Sequence, residues 1–434
     1  MKREKMNRRK RKRRIRWRVL GPLLVLLALI GYILYILINP RIVPVVQPKT
    51  AVCDYNRTQA QNTLKTLTYT DTLTIDEHLY YGETLNLYED PFVLGTTDPL
   101  VGKTLILRNV CSGEELIFLL ESYIDRQIPL DTLPEGFYEL FVLENLTKKR
   151  LVAPTTLYDE FFTLRRHNGQ GMDIDLMADL ELIESPYENR PIFDQPYLFL
   201  RVMKADVPAL IYDVVIDPSQ NQRSDDEGYV KGDFNEALAL HASAELLKEK
   251  LEAYGLRVLI LRDADEILNR YGQGGRMDVA YTTRAKYYIA LDLNVSTSLV
   301  DKGARVIYSY YTTNRFATAV LDGALLTDDL TIYGIGSPGN KPGVVRGKVI
   351  DFFDVNGDVR ESGGKILGAG QYSDDAKLNE GFAAQNRFGL QAVLLDLGFI
   401  TNPADYAIYT TQQDLLMENI AKGFADYLQL SLTP

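Results

Sequence analysis

The fold class this sequence predicts is a mainly parallel α/β domain flanked by helices, preceded by a transmembrane helix and an all-β sandwich-like module. Three observations predict it. Residues 19–38 form an uncharged apolar run, residues 72–205 carry short apolar or alternating runs broken by turns, and residues 209–434 alternate strand-like with helix-like patterns.

The chain has 434 residues, 46% hydrophobic and 24% charged, the composition of folded protein and long enough for two or three units. Residues 1–18 hold twelve Lys/Arg against one Glu, a charge of +11, which leaves −21 of the net −10 for everything that follows. The run VLGPLLVLLALIGYILYILI reaches ~30 Å as a helix, enough to cross a bilayer. Its basic flank, residues 1–18, then stays in the cytoplasm and residues 39–434 face outward, the arrangement of a single-pass cell-membrane protein. The run is longer than the ~7–15 residues of a signal-peptide core, and no small-x-small cleavage pattern follows Ile38. A basic arm beside a membrane span is accounted for by anionic lipid, so nucleic acid is not among the expected partners. Cys53 and Cys111 are the only cysteines. An oxidising exterior permits a bond between them, and their spacing leaves free thiols as the alternative while excluding a cysteine-based zinc site.

Residues 39–71 read as an extracytoplasmic linker, extended at Pro40, Pro44 and Pro48. Next come ETLNLYED, GKTLILRNV, EELIFLLES and GFYELFVLEN, separated by turn signals such as Asp90-Pro91 and Ser112-Gly113. From residue 209 a strand ending VVIDP is followed by a helix over 234–254, with Leu240, Ala244, Leu247 and Leu251 on one face and Gly255 as its stop. Strands at LRVLILR and YYIALDLN, a helix near 276–286, a strand in VLLDLGFITN and a last helix opened by Thr411, with Asp414 three residues on, complete the pattern. Functional groups in such folds collect at the carboxyl ends of strands, which singles out Asp217, Asp292 and Asp396.

Taken together, IDPSQNQ, the helix start DFNEALALH, ALDLN and LLDLGFITN resemble the zinc-dependent N-acetylmuramoyl-L-alanine amidases over about residues 210–430. In that family the corresponding segments read IDPGHGG, a glutamate at the helix start, SIHAN and VExGFxTN. LILRDAD and RMDVAY resemble further family segments, and GFITNPAD is the most specific match. The resemblance implies a cell-wall amidase fold with peptidoglycan as substrate. It also implies that two histidines and a glutamate hold zinc while a second glutamate moves protons.

Those positions are degenerate here. The histidine positions hold Gln220 and Asp292. The helix-start glutamate falls on Glu236 counting back from Gly255, or on Asn235 with one more residue, and with Asp233 as cap Glu236 also suits a capping box. The proton-moving glutamate corresponds to Asp396, one methylene shorter. Asp217, Asn294 and Asn402 are expected to line the cleft. His78, His167 and His241 do not fall where a ligand is needed, and Asp354, Asn356 and Asp358 in FFDVNGDVRESGGK fit a polar turn better than a calcium loop. The expectation is a membrane-anchored envelope protein with no metal cofactor, binding peptidoglycan or scaffolding envelope partners. The alternative is an active amidase with altered ligands that carries zinc.

Overall fold

The computed structural model describes residues 71–89, 100, 102–120, 128–165, 169–180, 182, 193–205, 211–220, 228–268, 275–276, 279–280, 283, 285–309, 312–347, 349–350, 353–354 and 390–432, all within one compact unit. The basic tail, the span at residues 19–38, the linker before Asp71, His167 and most of residues 352–365 lie outside the described residues. No helix among the described residues is long and apolar enough to cross a membrane.

Between Thr72 and Lys204 the described elements are strands and one short turn of helix. The strand Gly136–Glu144 organises them. One edge pairs with Thr104–Asn109, and the other pairs first with Leu198–Lys204 and then with Thr147–Val152. Gly171–Ala178 and Leu157–Leu164 extend this eight-stranded sheet, while Glu77–Tyr81, Thr84–Tyr88 and Ile128–Pro129 form a second sheet of three. Period-two alternation supplies the core between them: Leu85 and Leu87, Leu105 and Leu107, Leu140 and Val142 all turn inward. On the other face of Gly136–Glu144 the carboxylate of Glu139 is buried against Arg150, 2.8 Å away, whose guanidinium lies 4.1 Å from the Tyr197 ring centre. Cys111 is disulfide-bonded.

The C-terminal sheet has six strands, labelled here β1 (Val214–Pro218), β2 (Val258–Ile260), β3 (Tyr287–Asn294), β4 (Arg305–Tyr308), β5 (Val344–Arg346) and β6 (Gln391–Phe399). Their spatial order is β2-β1-β3-β6-β4-β5, with β2, β1, β3 and β6 parallel and β4 antiparallel to β6. The helices are α1 (Glu236–Glu252), α2 (Arg315–Ala324), α3 (Pro403–Thr411) and α4 (Gln413–Leu428). Strands β1, β3 and β6 are nearly all apolar because both faces are covered. Val214, Ile216, Ile289, Leu291, Val393 and Leu395 face the helices, while Val215, Tyr288, Ala290 and Leu394 belong to a second cluster. The face of α1 read from the sequence, Leu240, Ala244, Leu247 and Leu251, is fully buried, each leucine contributing ~1.5–3 kcal/mol.

Two helix starts differ from expectation. Val230–Lys231 pairs with Phe234–Asn235 in a small hairpin, which holds Phe234 and Asn235 extended, so α1 begins at Glu236. Its cap is Asn235, whose side-chain oxygen accepts from Leu238 N–H at 3.0 Å, and no capping box forms from Asp233. The final helix is two: Thr411 ends α3, its hydroxyl donating back to the Ala407 carbonyl at 2.6 Å, and Asp414 lies in the first turn of α4 without a side-chain cap.

Candidate functional site

The ends of β1, β3 and β6 meet the N-terminus of α1, bringing the IDPSQ loop, Asp292 to Asn294, Asp396 and Glu236 to one end of the sheet. Two buried guanidiniums pin the loop. Arg276 forms an ion pair with Asp217 at 2.8 Å and donates to the Ser219 carbonyl at 2.6 Å. Arg262 donates to the carbonyls of Pro218 and Ala237 at 3.2 and 2.9 Å, tying the loop to the first turn of α1. The arginines in LILRDAD and RMDVAY are therefore supports of the loop. Asp217, expected in the cleft, has no solvent exposure: Arg276 and the Tyr288 hydroxyl, 2.7 Å away, take its two oxygens. Its buried charge needs that arginine, so it is unavailable to a ligand.

The three expected ligand positions do come together. Gln220 and Asp292 are adjacent, the amide nitrogen 3.4 Å from the carboxylate. Glu236 is buried, and its Oε2 accepts the Tyr229 N–H at 2.6 Å. Burial raises its carboxyl above the ordinary value, while the N–H groups of Tyr229 and Leu293 and the Gln220 side chain act in the opposite direction. Gly228 makes this closeness sterically feasible: with φ +69° it lies in the left-handed region, and a Cβ there would come within 2.4 Å of Glu236 Oε2 and 3.0 Å of Gln220.

Asp396 faces Asp292 across β6 and β3, in register. It is nearly fully buried and forms an ion pair with Arg305, its antiparallel register partner on β4. The Arg305 guanidinium also lies 5.3 Å from the Tyr333 ring centre, and the Arg305 side chain is 30% exposed. Sequence reasoning missed Arg305, because its closeness to Asp396 arises only once β4 runs back against β6.

The remaining candidates divide. Asn294 ends β3, where its backbone carbonyl accepts from Ile400 N–H at 2.9 Å. Asn402 caps α3, accepting from Ala404 N–H at 2.9 Å and donating to the carbonyls of Leu299 and Asp301 at 2.8 and 3.1 Å, so it staples a loop and does not line the cleft. Asp405 completes the lock by accepting from Phe399 and Gly303 N–H at 2.8 and 2.7 Å, which gives GFITNPAD a structural meaning. His78 lies 3.3 Å from Asp159 in the β module and His241 lies within α1. Beside Glu236, the rings of Tyr229, Phe234 and Tyr406 form a chain with centres 6.4 and 5.7 Å apart, and Tyr406 is 41% exposed.

Zinc sites draw on imidazole, thiolate or carboxylate donors with a geometry closed around the ion. The donors here are a carboxamide, a carboxylate in contact with it, and a glutamate already accepting a backbone N–H, while the acid next to them carries a guanidinium. This set does not fit zinc. Among the described residues no group of three or more His, Cys, Asp or Glu is placed to hold a metal ion.

A mixed sheet whose acidic strand ends face the N-terminus of a helix, closed by the GFITNPAD lock, defines a cell-wall amidase-like α/β domain as the class. Residues 214–426 match the model of the N-acetylmuramoyl-L-alanine amidase family Amidase_3, which bears out the resemblance read over residues 210–430. Similar solved structures include the N-acetylmuramoyl-L-alanine amidase AmiC2 of Nostoc punctiforme, 19% identical over 50% of this chain and 98% of that one, with a TM-score of 0.34. The catalytic domain of CwlV from Bacillus (Paenibacillus) polymyxa var. colistinus is also 19% identical, over 51% and 99%, at 0.35. The CwlD amidase of Clostridioides difficile, solved in complex with the GerS lipoprotein, is 14% identical over 50% and 98%, at 0.33. No curated protein matches this chain.

Proposed function

We propose that this chain is a membrane-anchored, outward-facing cell-envelope protein whose amidase-like domain binds peptidoglycan without hydrolysing it and without a metal cofactor. The observation that carries this reading is the Arg305–Asp396 ion pair. A general base must be free to take a proton, and a carboxylate held by a guanidinium is a poor one. The donor set at Gln220, Glu236 and Asp292 supports the same reading, since carboxamide and carboxylate oxygens are poor substitutes for two imidazoles. The aromatic chain of Tyr229, Phe234 and Tyr406 supports glycan binding, because ring faces carry the negative side of the quadrupole and suit C–H surfaces. The anchor rests on the apolar run at residues 19–38 and the basic block before it.

The test uses the full chain in detergent, incubated with zinc, dialysed, and mixed with purified sacculi. The expected result is co-sedimentation with sacculi, weakened by Tyr406→Ala, with no muropeptide release and no stoichiometric zinc. Zinc bound one to one and lost in Gln220→Ala or Asp292→Ala, together with released muropeptides, would establish the active-enzyme alternative. Failure to co-sediment would leave scaffolding of an envelope partner as the function.

A further inference from the structure

At the opposite end of the same sheet, the β module is plugged into the strand starts through groups that the proposed function does not use. Lys286, immediately before β3, is completely buried. Its ammonium nitrogen contacts three acceptors from the module: the Tyr80 hydroxyl at 2.8 Å, the Phe162 carbonyl at 2.9 Å and the Gly82 carbonyl. Glu83, next to Gly82 and equally buried, accepts the hydroxyls of Tyr287 and Tyr427 from the C-terminal domain. Asp131 of the module pairs with Arg315 of α2 at 2.8 Å. The approach is close enough to require Gly82: at φ +57°, an added Cβ would fall 2.3 Å from Gln391 Oε1 at the start of β6.

We infer that this contact is a proton-linked latch, in which docking of the β module favours the neutral amine of Lys286. Two features carry the inference. The first is hydrogen-bond geometry that satisfies either protonation state. As an ammonium, Lys286 gives one N–H to each of its three acceptors. As a neutral amine it gives two, to Gly82 and Phe162, and accepts the Tyr80 hydroxyl, which already lies within 2.5 Å of the Phe162 carbonyl and has only to turn. Loss of the proton therefore orphans no group. The second is the charge surroundings. Lys286 feels the carboxylates of Glu83 and Asp131 from the module, and in turn Glu83 accepts the hydroxyls of Tyr287 and Tyr427 while Asp131 pairs with Arg315. The two carboxylates are shared between Lys286 and Arg315, so their pull on the ammonium is divided while its burial is complete.

Burial accordingly lowers Lys286 to about 7, against the upward pull of Glu83 and then Asp131. Undocked and solvated, the same amine has its ordinary value of 10.5. Between those values the open form binds one more proton than the docked form, so docking strengthens as pH rises through this window and weakens as pH falls toward 7. Glu83 works the other way at lower pH. Burial, then Asp131, raises its carboxyl, so its contribution is fully present below the ordinary 4.5 and is lost as pH rises through the raised value.

Hydrogen exchange of the full chain tests this. Once corrected for intrinsic rates, the opening constant of amides around Glu83 and Leu130 should fall by close to tenfold per pH unit between pH 7.5 and 9.5, the signature of one proton. Lys286→Met should abolish that slope. Opening that does not change with pH, or a slope that persists in Lys286→Met, overturns the proposal. Should that variant not fold, the 15N shift of the Lys286 side-chain nitrogen in the wild-type chain decides: a midpoint near 7 supports the latch, and one above 10 overturns it.

Discussion

The two ends of β3 put a cation against carboxylates in opposite ways. At its start, Lys286 is fully buried among groups from two regions of the chain, with Glu83, Asp131 and Arg315 completing a balanced set. At its far end the acids Asp292 and Asp396 stand side by side, and the neutralising Arg305 reaches in from β4 with 30% of its side chain exposed. Burial is what separates the two. A desolvated charge at the base can be removed only at high cost, whereas water near the tip screens what Arg305 loses or gains. The base therefore holds the chain together, and the tip is where chemistry is free to change.

The sharpest way to break this contrast is truncation at each end. Below pH 7, where docked Lys286 keeps its proton, Lys286→Ala removes a buried cation and leaves Glu83 and Asp131 against Arg315 alone, and the expected loss is ~3–5 kcal/mol in urea unfolding. Arg305→Ala exposes Asp396 to water through the space left behind, and the expected loss is smaller, ~1 kcal/mol. Equal losses at the two positions would show that burial does not govern the difference.

The tip can be sharpened by restoring what the family resemblance implies. Gln220→His combined with Asp292→His should raise zinc affinity by more than ~100-fold over the parent chain, measured by equilibrium dialysis. Muropeptide release should stay absent until Arg305 is also replaced, because the guanidinium still holds Asp396. Turnover in the double variant with Arg305 in place would show that the ion pair does not disable the acid.

Much of the tip was legible in sequence, and the reason is local. Strand β3 falls on YYIALDLN because a strand buried on both faces is a continuous apolar run with few alternatives, and its polar residues near the end mark where the core stops. Gln220, Glu236, Asp292 and Asp396 were found as strand-end and helix-start residues, and they do converge. Arg305 and the Lys286 cluster were not found. Each depends on a pairing between distant segments, β4 folding back on β6 in one case and the Tyr80–Glu83 turn reaching β3 in the other. Asp217 and Asn402 were read as cleft residues, but strand-end position alone does not tell a cleft residue from one consumed by a buried arginine or a helix cap.

Asn402 lies between the extremes. Asn402→Ala should cost ~1–2 kcal/mol, the usual value of a helix cap with its accompanying bonds, read as a shift in thermal midpoint. Its carbonyl contacts hold residues 299–301 against α3, so sacculus binding should be unaffected if those residues are only a support.

The smallest effect is expected at Glu236, where it separates a structural acid from a reactive one. Its carboxyl is raised by burial, so its contribution to stability is fully present below the ordinary value of 4.5 and is lost as pH rises through the raised one. Glu236→Gln keeps an oxygen for the Tyr229 N–H and cannot ionise, so the two chains should match near pH 4. At higher pH the variant should become the more stable by a few tenths to about 1 kcal/mol, the scale of one hydrogen bond. Denaturant midpoints taken from pH 4 to 9 give this difference directly. A gap that stays constant with pH would mean that the wild-type carboxyl ionises as easily folded as unfolded, and Glu236 would then be free to act as an open anionic ligand at the tip of the sheet.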